Sequence, residues 1–266
     1  MIKCGVFDSG IGGLTVAKEL INSFNDIEIS YFADFYHLPY GPRPLEEVKG
    51  FALGIIDFLF SSGVDIVVMG CNMSVASGAD KAWREKSDKP IFEIVTPACE
   101  EAVKRSAHGN IGVICTEGTF KSNIYTHTLK NAGAKSSTVV PCPKFVPLIE
   151  SETCKEEEKV NTIKEYLAKI NDADCDTLIY GCTHYPFLER EILSEIGDSV
   201  QIVNPAETIT EIIRKYIENF SAQHNDCEIQ TPLHKFYCTG EKENLIKFAP
   251  FLGQKIEEIK IVKELE

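Results

Sequence analysis

Two apolar runs in this chain end in the same way. Residues 67–74 read VVMGCNMS and residues 178–186 read LIYGCTHYP, so each run stops on Gly-Cys followed by an amide or a hydroxyl side chain. A lone cysteine after an apolar run is usually a small core residue. Two of them, each preceded by glycine and followed by a polar donor, suit one site built from two thiols, Cys71 and Cys182. A thiol at a strand-to-helix junction lies near amide dipoles, which are expected to lower its pKa toward neutrality. His184, two residues past Cys182, is placed to hydrogen-bond that thiol, and Asp8 to tune the other.

Chemistry that needs two thiols on opposite sides of one substrate is proton transfer at a stereocentre. One thiolate removes a Cα proton and the thiol on the other face returns one, with inversion. An amino-acid Cα–H is a very weak acid, so such a site must place each sulfur at Cα, exclude water and stabilise the developing charge with fixed donors. Ser9, Asn72, Thr119 and Thr183 offer hydroxyl and amide donors, and the turn DSGIGG (8–13) offers glycine amides suited to holding a carboxylate. That turn lacks the G-x-G-x-x-G spacing of dinucleotide sites. The loop HLPYGPRP (37–44), stiffened by three prolines, fits either a plain connector or a wall that sets Tyr40 and the backbone of Gly41 against a ligand. No lysine motif of pyridoxal-phosphate type stands out and no CxxC pair occurs among the ten cysteines, so neither cofactor nor metal is expected. Two other classes compete. A thiol hydrolase would use Cys182 and His184 as nucleophile and base but leaves Cys71 unexplained. A non-catalytic amino-acid-binding module needs neither thiol.

The elements that must carry these residues alternate along the chain. Strands are expected at 2–7, 28–34, 64–70, 110–115 and 176–181, and helices at 12–24, 45–63, 119–133 and 155–170. VDIVVMG is a near-continuous apolar run of the kind buried parallel strands use. The alternation implies an α/β protein with parallel sheets. KCGVFDSGIGG (3–13) also resembles NIGVICTEGTF (110–120), with Asp8 matched to Thr116, and the two cysteines are 111 residues apart. Two similar units would bring the strand-end cysteines to one crevice. The acidic stretch SETCKEEEKV reads as a solvated helix start, and the C-terminal KIEEIKIVKELE as a packing segment.

With 27 basic against 40 acidic residues, the net charge of −13 argues against nucleic acid or an anionic membrane as a partner. The first residues, MIKCGVFDSG, carry no signal-peptide pattern and no run approaches a membrane span, so a cytoplasmic location is expected.

FDSGIGG, PYG, GCN, TEGT and GCTHYP, in this order and spacing, closely resemble the glutamate racemases of the aspartate/glutamate racemase family. The match runs from about residue 3 to about residue 207, and GCTHYP is its most specific part. The resemblance implies two α/β domains related by a pseudo-two-fold axis with the active site between them, the first formed by 1–96 plus 208–266 and the second by 97–207. It implies cofactor-independent interconversion of L- and D-glutamate, supply of D-glutamate for peptidoglycan, and a homodimer. Carried over, Cys71 and Cys182 become the acid/base pair and Asp8 and His184 their partners. Ser9, Tyr40, Gly41, Asn72, Met73, Thr119 and Thr183 become substrate contacts, with Glu150 a further acidic residue near the site. One position departs. The family usually reads Cys-Asn-Thr where this chain has Cys71-Asn72-Met73-Ser74, so residue 73 offers only its backbone N–H. Aspartate or another amino acid is therefore the alternative substrate.

Overall fold

The computed structural model describes residues 1–151, 153, 155–221, 232–253 and 258–263. The chain forms two compact units, residues 1–94 with 209–266 and residues 95–208. The first begins with β1 (Ile2–Asp8), α1 (Leu14–Ser23), β2 (Ile27–Asp34), α2 (Leu45–Ser61), β3 (Ile66–Met69), α3 (Asn72–Ala76), α4 (Ala79–Lys86) and β4 (Ile91–Glu93). The second holds α5 (Val95–Arg105), β5 (Asn110–Cys115), α6 (Glu117–Ser122), α7 (Ile124–Ala132), β6 (Ser136–Pro141), α8 (Phe145–Glu150), α9 (Glu156–Asp172), β7 (Thr177–Gly181), α10 (Glu189–Ile196) and β8 (Gln201–Val203). The chain returns to the first unit within α11 (Pro205–Ser221), which leads to β9 (Lys235–Thr239), α12 (Glu243–Phe248) and β10 (Ile259–Ile261).

Both sheets are parallel throughout, so the α/β reading holds. Their orders are β10-β9-β2-β1-β3-β4 and β6-β5-β7-β8. Removing the two C-terminal strands leaves β2-β1-β3-β4, which has the connectivity of β6-β5-β7-β8. Each unit is thus the same four-strand winding, and the repeat glimpsed in the sequence is a repeat of topology. The winding explains the composition of the strands. β2 is buried along its whole length because β1 and β9 flank it and helices cover its faces. Its two acidic residues are paired: Glu28 accepts from Lys235 at 2.8 Å, and Asp34 holds a network described below.

Two expectations change. The helix anticipated at 119–133 is broken into α6 and α7, because Asn123 adopts a left-handed conformation (φ 57°) that asparagine tolerates better than most residues. Thr116 caps α6 by accepting from the Thr119 N–H, so the helix starts earlier and Thr119 sits inside it. The C-terminal segment packs as expected, through Ile259–Ile261 pairing with β9. Residues 255–257 and 264–266 of that stretch, and Glu152 and Cys154 of the acidic one, lie outside the described residues.

Candidate active site

In the first unit the site is built where β1 and β3 end. Gly70 follows β3 and donates its N–H to the Phe7 carbonyl at 2.8 Å. A Cβ on Gly70 would sit 3.1 Å from that same oxygen, so glycine lets the chain run close to β1 before it turns. Cys71 then takes the N-cap position of α3 with extended backbone, and its side chain is buried. Its sulfur lies 3.7 Å from Ser9 Oγ. Asp8 ends β1, almost fully buried, and accepts the Gly10 N–H at 2.8 Å. Gly13 is fixed as glycine by the same side chain, since an added Cβ would fall 2.6 Å from Asp8 Cβ.

This geometry alters two expectations. One amide of the glycine turn, that of Gly10, is already committed to Asp8. The Cys71 thiol is not brought toward neutrality: burial, reinforced by the Asp8 charge, pushes it up to about 11. The Ser74 amide and hydroxyl and the Ser9 hydroxyl favour the thiolate and recover only part of that. The physical reason is scale. α3 has five residues and a correspondingly small end charge, whereas desolvation beside a carboxylate acts on the whole anion.

The PYG loop reaches the same thiol from another side. After a cis Leu38–Pro39 bond, Tyr40 packs with Val48, Cys71, Met73 and the partly buried Phe51 in a small apolar cluster. The Tyr40 hydroxyl donates to Asp34 Oδ2 at 2.6 Å, so it is committed within the protein. Gly41 follows, partly exposed, at the turn. Asn72 and Met73 are the first residues of α3, both buried, and the Met73 side chain is spent on packing.

In the second unit Gly181 ends β7 and stands beside Cys115 of β5. A Cβ there would lie 2.8 Å from the Ile114 carbonyl and 2.8 Å from Cys115 Cβ, a closer constraint than at Gly70. Cys182 follows, buried, with its sulfur 3.8 Å from His184 Nδ1. His184 Nε2 lies 3.2 Å from Glu150 Oε1, at the end of α8. The result is a relay of thiol, imidazole and carboxylate. Thr183 is buried between Cys182 and His184 in sequence, and Thr119 is buried with its hydroxyl 2.9 Å from that of Thr116.

These two cysteine environments can now be set beside known proteins. The family model described as Asp/Glu/Hydantoin racemase matches residues 24–213. The chain belongs to this racemase family. It is 36% identical over 257 residues to the glutamate racemase of Acidothermus cellulolyticus, covering 96% of this chain and 97% of that one. Among solved structures, a glutamate racemase isoform from Bacillus anthracis superposes with a TM-score of 0.88 at 31% identity, covering 99% and 97% of the two chains. The glutamate racemase of Francisella tularensis, solved in complex with D-glutamate, also gives 0.88, at 27% identity and 100% and 98% coverage.

Within this racemase fold the strand registers correct the sequence alignment by one residue. Phe7 pairs with Met69, which puts Asp8 level with Gly70, whereas Cys115 pairs with Gly181. Asp8 therefore corresponds to Cys115, and Ser9, not Asp8, to Thr116. Sequence reasoning also passed over Asp34. Its signal was available: EISYFAD ends a buried strand on an acid, as KCGVFD does at Asp8.

Proposed function

We propose that the chain is a cofactor-independent glutamate racemase that moves the Cα proton with two thiols. The observation that carries this reading is the pair of Gly-Cys strand ends at equivalent positions of two units with one strand order. The full-length similarity to glutamate racemases supports glutamate as the substrate. In one direction Cys71, as thiolate, takes the proton and Cys182, as thiol, delivers one to the opposite face; the reverse direction exchanges their roles. Asp8 acts on Cys71, and His184, oriented by Glu150, acts on Cys182. Ser9, Asn72, Thr119, Thr183, the Tyr40–Gly41 backbone and the Met73 N–H hold the substrate. Each sulfur is mostly withdrawn from water, which raises the value of every fixed donor nearby.

Production of D-glutamate for peptidoglycan, a cytoplasmic location and a homodimer belong to the same proposal. Among the described residues no helix is long and apolar enough to cross a membrane. The test is circular dichroism of L-glutamate incubated with purified protein without pyridoxal phosphate or metal, alongside L-aspartate. Loss of optical activity with glutamate is expected. Met73, whose side chain packs on Cys71 and Tyr40, is the one feature that favours the alternative. Turnover of aspartate with glutamate left untouched would select it.

A further inference from the structure

Asp34 is completely buried, and a buried carboxylate is costly unless donors surround it. Three donors converge on it from two segments, the 37–44 loop and the tip of β9. Tyr40 Oη donates at 2.6 Å to Oδ2, Thr239 Oγ1 at 2.5 Å to Oδ1, and His37 Nδ1 lies 2.9 Å from both oxygens. The arrangement is tied in further. Thr239 Oγ1 accepts the Tyr36 N–H at 3.0 Å, Arg43 Nε donates to the His37 carbonyl at 2.7 Å, and the His37 ring stacks on Phe51 at 3.8 Å. The loop carrying Tyr40 is thus closed at both ends and bound to the tip of β9, 199 residues further along the chain. Tyr40 in turn packs on Cys71 and Met73.

Resting on the racemase reading, we propose that Asp34 is a positioning residue for the reaction. By accepting from Tyr40, Thr239 and His37 at once, it holds the Tyr40–Gly41 backbone beside the Cys71 thiol, so that a substrate polar group meets a preset partner. The loop then offers the substrate its backbone, because the tyrosine hydroxyl is occupied. Asp34 touches neither substrate nor reacting atoms. Its effect should fall on binding, and it should pass through Tyr40.

The chemistry suggests a near-isosteric test. A carboxylate accepts from all three partners, whereas an amide has one accepting oxygen, and its NH₂ group obliges the hydroxyl or imidazole it faces to accept where it had donated. Asp34→Asn is therefore expected to raise KM for glutamate about tenfold while kcat changes by about twofold or less, the pattern of lost binding that is common to ground and transition states. In a Tyr40→Phe background, where one donor is already gone, the same change should raise KM much less. Melting temperatures measured on all four proteins separate positioning from stability. If Asp34→Asn lowers the melting temperature but leaves KM unchanged, or if its effect is equal in both backgrounds, the positioning role is wrong. If the wild-type protein turns over no glutamate, the racemase reading itself falls, and this proposal with it.

Discussion

The two units wind four strands in one order and end one strand of each on Gly-Cys, yet they surround the two sulfurs differently. Beside Cys71 the equivalent position on the central strand is Asp8, an almost fully buried carboxylate; beside Cys182 it is Cys115, a neutral thiol. The second unit supplies its titratable partners from the other direction, through His184 and Glu150. The repeated scaffold sets where each sulfur stands, and unrepeated side chains set what each sulfur meets. In the free protein burial and the Asp8 charge keep Cys71 a thiol, whereas Cys182 has an imidazole nitrogen 3.8 Å from its sulfur.

The largest expected effect tests whether the two sulfurs are equal in necessity. Cys71→Ala and Cys182→Ala should each lower the racemisation rate by about 10³-fold or more, as loss of a general acid/base does. A Cys71→Ala protein with wild-type activity would break the comparison and favour the nucleophile reading of Cys182. A smaller effect tests the asymmetry. Asp8→Asn removes one of the two causes that raise the Cys71 pKa, so its midpoint should move below about 11, read from the pH dependence of iodoacetamide labelling at that peptide. His184→Asn should leave that midpoint where it is. If both variants shift Cys71 alike, Asp8 is not what distinguishes the two sulfurs. The smallest effect tests the scaffold. Gly181→Ala forces a Cβ to 2.8 Å from a backbone oxygen and Gly70→Ala only to 3.1 Å. Denaturant unfolding should show a loss near the upper end of about 1–3 kcal/mol for Gly181→Ala and near the lower end for Gly70→Ala.

Much of this was legible before any coordinates. Parallel strands covered on both faces read as apolar runs, so the runs ending at Phe7, Gly70, Cys115 and Gly181 marked β1, β3, β5 and β7, and with them the two cysteines. The break at Asn123 was not legible, because a single left-handed residue leaves the helical periodicity almost intact. β4, β8 and α3 span three to five residues, too few for any period to show. The match of Asp8 to Thr116 slipped by one because glycines and hydroxyls repeat loosely around the turn, and only the hydrogen-bonded register places Cys115 opposite Gly181. The raised Cys71 pKa was missed for a related reason. Sequence shows the helix start but not the depth at which Asp8 and Cys71 are buried together.

The central claim, that two different groups handle the proton on the two faces of Cα, is tested most directly by following deuterium during the first few per cent of L-glutamate conversion in D₂O. Two thiols predict that the D-glutamate formed carries deuterium at Cα while the remaining L-glutamate stays protiated, because the group that removes the proton is not the one that replaces it. Deuterium entering the L-glutamate pool as fast as the D-glutamate product would mean that one group serves both faces, and would contradict the account.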